Sequence, residues 1–366
     1  MVSLLLAPRP AGYAGEPAPS TVAGVVTWFG AMQAQDAASA AWSFGVRLPA
    51  LTLADLDAAF ERGEAIRTWP MRGTVHYVPP PDAHWMLDLM GVRALAGAAK
   101  RREGLGLATE TANAAVDVLG AVLAGGKRLT RAQCLDALRD AGIDVTGQLG
   151  YHLLWYASQS QVTCFAPNIG NEQAFMLLDE CVPEPNRPDR DEALATIATR
   201  YFRSHGPTTR QDFAGWTGLT MADCRRGIAA AGDSLAPVTV DGAEMYADRA
   251  LLEARLVGAA RPARRKRPAL ALPGFDEYML GFKDRSMMLD AEHMQAIVPG
   301  GNGMFQPTLV LGGRVVGTWR RRLKRATVAV TVTALADLSP ADRTAVEAAF
   351  AGYGRYLGLP VELTWS

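Results

Sequence analysis

Arg210-Gln-Asp-Phe-Ala-Gly-Trp216, Gly218-Leu-Thr220 and Met221-Ala-Asp-Cys-Arg-Arg-Gly-Ile-Ala-Ala-Ala231 read as two short helices around a glycine-containing turn. Pro237–Val240 and Ala243–Tyr246 then flank Asp241-Gly242, a dipeptide that favours the tight turn of a β-hairpin. Two helices followed by such a hairpin is the winged-helix order. Upstream, Ala193–Ser204 carries a helical pattern, and Gly206-Pro-Thr-Thr209 separates it from the pair.

The order recurs towards the N-terminus without a strict sequence repeat. Val22, Val25, Val26 and Phe29 recur at helical spacing after Thr21. Thr52 suits the N-cap of a helix over Leu53–Arg62, with Leu53, Leu56 and Phe60 on one face and Gly63 as its stop. Ile66–Trp69 and Thr74–Val78 flank the turn-forming Pro70-Met-Arg-Gly73, and a further helix starts at Asp82. Later, Thr130 caps Arg131–Ala141, Gln148–Gln159 forms the next helix, and Val162–Ala166 a short strand.

From about Leu270 the pattern changes. Thr308–Leu311 and Arg314–Trp319 flank Gly312-Gly313, Thr327–Val332 alternates as a strand does, and Val361–Trp365 follows the amphipathic helix Pro340–Leu357. These readings predict an α+β chain. Three tandem winged-helix units cover 1–120, 121–188 and 189–260, and a small β-rich, barrel-like domain covers 261–366.

Composition narrows the function. The chain has 366 residues, 49% of them hydrophobic, which suits packed cores and argues against disorder. Lys plus Arg and Asp plus Glu stand at 37 each, so any case for nucleic-acid binding rests on local charge. Arg261-Pro-Ala-Arg-Arg-Lys-Arg267 and Arg320-Arg-Arg-Leu-Lys-Arg325 are the basic runs, each readable as phosphate contact or as a solvated linker or strand edge. Cys134, Cys164, Cys181 and Cys224 form no Cys-x-x-Cys pair and the histidines are scattered, so no metal-ligand spacing appears. Gly300-Gly-Asn-Gly303 and Gly312-Gly313 lack a following Lys-Ser/Thr and a βαβ setting, which argues against ATP or NAD. No cofactor or metal is expected. Leu4-Leu-Leu6 before Pro8 is too short for a signal-peptide core, and no uncharged apolar run approaches membrane-spanning length. A cytoplasmic protein with no membrane partner is expected.

Five stretches in order carry a resemblance: Gln33-Ala-Gln35, Arg67-Thr-Trp-Pro-Met-Arg-Gly-Thr-Val-His76, Leu272-Pro-Gly-Phe-Asp-Glu-Tyr278 with Lys283-Asp-Arg285, Asn302-Gly-Met-Phe-Gln-Pro307, and Gly317-Thr-Trp-Arg-Arg321. Together they resemble the AlkZ-like DNA glycosylases, winged-helix proteins that unhook alkylated and crosslinked bases. The resemblance covers nearly the whole chain. It implies a monofunctional glycosylase acting on double-stranded DNA that carries alkylated purines, with members serving in repair or self-resistance. A monomer is expected.

Gln33 and Gln35 are the catalytic candidates. Hydrolysis of an N-glycosidic bond passes through an oxocarbenium-like sugar, and a purine alkylated at N7 already leaves readily. The enzyme then mainly has to hold a water against the anomeric carbon. A carboxamide accepts from that water through its oxygen and donates elsewhere through its NH2, but takes no proton. Residues i and i+2 share a side only in an extended segment, so the helix after Thr21 should end or distort near Met32 if both side chains serve one site. The competing reading makes both glutamines exposed polar residues at a helix end. Asp36 follows as a supporting group.

Arg72, His76, Lys283, Arg285, Asn302, Arg320 and Arg321 are the DNA-binding candidates, with the arginines and Lys283 expected on one concave surface. Each has a plainer reading: a locally satisfied hairpin for Arg72 and His76, an ion pair through Asp284 for Arg285, a simple turn for Asn302. The alternative for the whole chain is a non-catalytic winged-helix DNA-binding regulator, since such folds are commoner in regulators.

Overall fold

A computed structural model describes residues 1–10, 13–258 and 269–366, a mixed α+β arrangement with three sheets. Strands β1 (Met32–Gln33), β2 (Ile66–Met71), β3 (Thr74–Val78), β4 (Leu129–Thr130), β5 (Thr163–Ile169) and β6 (Glu172–Leu177) form one antiparallel sheet in the order β1-β3-β2-β5-β6-β4. The hairpins β2–β3 and β5–β6 join edge to edge where Arg67 faces Phe165. Each hairpin thus covers the other's open edge. Strands β7 (Leu235–Val240) and β8 (Ala243–Asp248) stand apart as a ribbon. Asp241 at φ 48 and Gly242 at φ 79 give its turn the two left-handed positions that match strand twist.

The C-terminal strands β9 (Ala269–Leu272), β10 (Thr308–Leu311), β11 (Arg314–Leu323), β12 (Val328–Ala334) and β13 (Val361–Trp365) form a sheet in the order β13-β12-β11-β10-β9. β13 runs parallel to β12, a return made by the helix Pro340–Leu357. The barrel-like closure expected from the sequence is replaced by this open sheet, because the helix lies over it and supplies the cover a barrel would give itself. Trp319 of β11 meets Phe350 and Tyr353 of that helix with ring centroids 5.2 and 5.3 Å apart. The basic run Arg261–Arg267 lies outside the described residues.

Capping chemistry sets most helix ends. Thr52, Thr130, Asp189, Thr209 and Ser339 each accept from a backbone N–H three residues on while the side chain there returns the bond. Gly218, at φ 76, stops Arg210–Thr217, and Thr220 opens Met221–Ala231. The helix Arg190–His205 buries Leu194, Ile197, Tyr201 and Phe202 against Phe213 and Trp216.

Several elements escape the sequence reading, among them the helices Ala37–Arg47, Thr109–Leu123 and Arg249–Gly258 and the strands β1, β4, β6 and β9. The first matters most. Trp42 on it meets Tyr353 and Tyr356 at 4.9 and 5.0 Å, and donates from Nε1 to the Ala271 carbonyl at 2.7 Å. A Cβ on Gly45 would fall 2.7 Å from Tyr356, so glycine is required for this approach. The N-terminal and C-terminal parts of the chain are therefore packed into one body around the segment that carries Gln33 and Gln35.

Candidate active site

The helix Val22–Phe29 stops at Gly30, whose φ of 81 a side chain would resist. The backbone then extends. Met32 and Gln33 pair with Tyr77 and His76 of β3, and the Ala34 N–H donates to the Val75 carbonyl at 2.8 Å. Asp36 caps the next helix, its Oδ1 accepting from Ser39 N–H at 2.7 Å. Gln33 and Gln35 therefore occupy an extended link between two helices, the geometry the shared-site reading required.

Their side chains differ. Gln35 is exposed, and its Oε1 accepts from the Val75 N–H at 3.3 Å. Gln33 is half-buried, and among the described residues its Oε1 is a buried acceptor with no hydrogen-bond partner. Such an atom carries two lone pairs that a water or a sugar hydroxyl can satisfy.

Beneath Gln33 lies Glu277, 2% exposed. Its Oε1 accepts from the Gln33 N–H at 3.3 Å, and its Oε2 from Trp216 Nε1 at 3.0 Å, with His205 Nε2 at 3.1 Å. Burial pushes this carboxyl up, but the His205 hydrogen bond and charge and the Trp216 bond outweigh it and hold the group below its usual range. The neighbouring Asp276 takes Arg47 Nη1 and Nη2 at 2.8 and 3.0 Å, with both side chains at most 1% exposed. Consecutive acids thus hold both ends of one stretch: Glu277 the extended link, Asp276 the last turn of the helix after it.

His76, opposite Gln33 in the ladder, is 0% exposed. Burial, and then the Arg72 charge, drive its pKa down to about 3, so the ring is neutral at working pH. Nδ1 lies 2.9 Å from the Thr74 carbonyl and Nε2 3.4 Å from Arg72 Nη2. The tautomer that satisfies both donates from Nδ1 and accepts at Nε2. His76 is thereby corrected from a surface DNA contact to a buried support of the strand facing Gln33.

The remaining candidates fall into three places. Arg72 sits on the β2–β3 turn at φ 54, its side chain 3.6 Å from where a Gly218 Cβ would stand, and Lys283 lies 3.5 Å from the corresponding point on Gly215. Both therefore flank the end of one helix. Arg321 reaches the glutamine segment: it donates to the Tyr353 hydroxyl at 2.9 Å and lies 3.9 Å from Asp36 Oδ1. Arg320, its neighbour on β11, is exposed on the opposite face of the sheet, so the two do not share a surface. Arg285 is bound to the Met279 carbonyl at 2.6 Å and lies 5.0 Å over Phe305, while Asp284 accepts from Ser286 N–H instead of pairing with it. Asn302 is exposed and turns its own loop by accepting from Met304 N–H at 2.9 Å.

Sequence reasoning missed the roles of Glu277, His205, Trp216 and the Arg47–Asp276 pair. Asp276 and Glu277 stand inside one of the motif stretches, yet a Pro-Gly turn followed by two acids reads as solvent-facing. Only the distant partners reveal the burial. Among the described residues, no three His, Cys, Asp or Glu side chains converge as a metal site.

The family model described as DNA glycosylase AlkZ-like matches residues 26–356. The interstrand DNA cross-link repair glycosylase of Streptomyces sahachiroi is 28% identical over 265 residues, 69% of this chain and 70% of that protein. The solved structure of Streptomyces sahachiroi DNA glycosylase AlkZ matches with a TM-score of 0.76 at 25% identity, over 100% of this chain and 97% of that one. The family match takes in both glutamines, the buried acids beneath them and most of the C-terminal sheet, and on that extent the chain belongs to the AlkZ-like DNA glycosylase family.

Proposed function

We propose that the chain hydrolyses the N-glycosidic bond of N7-alkylated purines in duplex DNA, including bulky adducts and interstrand crosslinks, in repair or self-resistance. The observation that carries this reading is the unpartnered, buried Gln33 Oε1 on an extended segment two residues from the Gln35 carboxamide. Water held there attacks the anomeric carbon as the C1′–N9 bond breaks. The bonding pair goes to the base and neutralises its positive charge, and the water proton passes to solvent. An abasic site remains. The anionic Glu277 beneath Gln33 adds negative potential on the side where the sugar becomes cationic.

In this reading the chain works as a monomer built from three winged-helix units, 1–120, 121–188 and 189–260, and a C-terminal domain, 261–366. Arg72, Lys283, Asn302 and Arg321 meet the DNA backbone, Arg285 supports Lys283 through its carbonyl, and Arg320 stands on the far face of the C-terminal sheet. The name of the Streptomyces sahachiroi relative, a cross-link repair glycosylase, supports crosslinks as substrates. Incubation with duplex DNA carrying one N7-methylguanine tests it: alkali-labile breaks at that position are expected. Tight sequence-specific binding without base release would instead return the regulator reading.

A further inference from the structure

A cavity of about 590 Å³ opens beside the β2–β3 turn, and neither Gln33, Gln35 nor Glu277 lines it. Its walls come from Gly73 on the turn, Arg101 on the helix Val92–Gly104, Arg131 at the start of Arg131–Asp140, and Tyr151, His152 and Trp155 on Leu149–Gln159. The last two helices follow one another in helix-turn-helix order. The N-terminal part of the second helix, where Tyr151 and His152 stand, is the part such a motif brings to nucleic acid.

The lining has a definite chemical preference. Arg101 and Arg131 supply two cations, no carboxylate lines the cavity, and neither arginine forms an ion pair among the described residues; Arg101 bonds the neutral Gln148. Tyr151 is 47% exposed, an unusual position for an aromatic side chain without a partner. Behind it, His152 is 6% exposed, tilted 34° to Trp155 at 5.5 Å, and its Nε2 has no hydrogen-bond partner among the described residues. Burial, with the nearby Arg102 and Arg101 charges, lowers the pKa of this ring, which keeps the wall neutral between the two arginines. Aromatic faces and uncompensated guanidinium groups together suit a planar ring attached to an anion.

Position identifies the source. Gly73 precedes by two residues Val75, whose N–H holds Gln35, and two strand residues span about 7 Å. The volume is in the range of small-ligand sites, roughly 300–1,000 Å³.

We propose that this cavity binds one unstacked nucleotide of the DNA strand, within three steps of the excised base, with its base on Tyr151 and Trp155 and its phosphate between Arg101 and Arg131. The proposal rests on the duplex-DNA reading above. An enzyme that acts without extruding a tethered base has to deform the duplex around it, and a neighbouring nucleotide held outside the stack supplies that deformation.

The test uses the full chain and duplexes that carry an abasic-site analogue, with one unpaired nucleotide placed in turn at each position up to three steps away on either strand. Wild type should bind one of these roughly ten-fold more tightly than the fully paired duplex, since the unstacking is already done. Tyr151→Ala and Arg131→Gln, both at exposed positions, should abolish that preference and slow N7-methylguanine release from the paired duplex roughly ten-fold, with thermal unfolding as in wild type. No preference at any position, or a preference unchanged in both variants, overturns the proposal and leaves the glycosylase reading intact. Failure to bind any duplex overturns both. Deoxyadenosine monophosphate should not compete at micromolar concentration; competition in that range would assign the cavity to free nucleotides and overturn the strand-borne source.

Discussion

The Glu277 carboxylate accepts the Gln33 backbone N–H at 3.3 Å across 244 positions of sequence. The bond ties the candidate catalytic link to a turn near the C-terminal sheet, and the same carboxylate gathers His205 and Trp216 from the helices Arg190–His205 and Arg210–Thr217. Changing Glu277 therefore disturbs three parts of the molecule at once. Glu277→Ala leaves the indole and imidazole N–H groups buried without acceptors, at a cost of about 1–3 kcal/mol each. Glu277→Gln keeps one acceptor oxygen and the side-chain volume. We expect urea unfolding to show a large stability loss for Ala and a smaller one for Gln, with both slowing single-turnover excision. If Glu277→Gln matched wild type in rate, the carboxylate charge would have no part in the reaction.

The glutamines should behave in the opposite way. Gln33 Oε1 has no partner to lose, and Gln35 is exposed with a single bond to Val75 N–H. Gln33→Ala and Gln35→Ala should each cost under about 1 kcal/mol of stability. Loss of water placement should cost about two orders of magnitude in excision of N7-methylguanine. Single-turnover kinetics and thermal unfolding on the same samples separate the two effects, and wild-type rates in both variants would remove the pair from the mechanism.

Acid should act on stability before it acts on chemistry. The His76 pKa of about 3 in the fold lies well below the ordinary value near 6.5. Between those values the unfolded chain binds a proton that the folded chain refuses, so stability falls as pH falls through this window. One such group contributes a slope of up to roughly 1.4 kcal/mol per pH unit. Denaturant unfolding at pH 7, 6 and 5 should show that slope, and His76→Gln should flatten it. The excision rate should hold level from pH 6 to 8, because His76 is neutral throughout. An inflection near pH 6.5 that disappears in His76→Gln would mean the ring titrates in the folded enzyme.

What the sequence disclosed follows from the range of each interaction. Thr209 and Thr220 with their caps, Gly218 and the Asp241-Gly242 turn are local devices, and the helix-turn-helix with its ribbon was read from them. The extended conformation at Gln33 was tied in advance to an end of the helix before it, which Gly30 provides. Ala37–Arg47 was missed because its buried positions include Ser39, Ser43 and Arg47, which blur the apolar period. Ser43 and Arg47 are buried with their polar groups on Asp276, 229 positions beyond Arg47. His76 was misplaced for the same reason: a hairpin histidine reads as exposed until β1 pairs along β3 and covers it. Long-range polar contacts of this kind leave no periodic trace.

Substrate charge is the last consequence of the site. The groups at the proposed centre are carboxamides, so the barrier must fall chiefly through the leaving group's own positive charge and the placement of water. Asp36 is the nearest acid in sequence, but its Oδ1 accepts from Ser39 N–H at 2.7 Å and lies 3.9 Å from Arg321. It starts a helix and meets an arginine, which leaves it poorly placed to take a proton from water. N7-methylguanine and bulkier N7 adducts should therefore be released, while uracil and hypoxanthine stay attached. Gln35→Asp, which puts a carboxylate on the extended link itself, should retain activity on cationic bases and gain a pH dependence that wild type lacks, rising as the new group ionises. A substrate panel run with both proteins decides the matter. Efficient wild-type removal of uracil would show that a base is already at work, and Asp36→Asn would then have to abolish it for Asp36 to be that base.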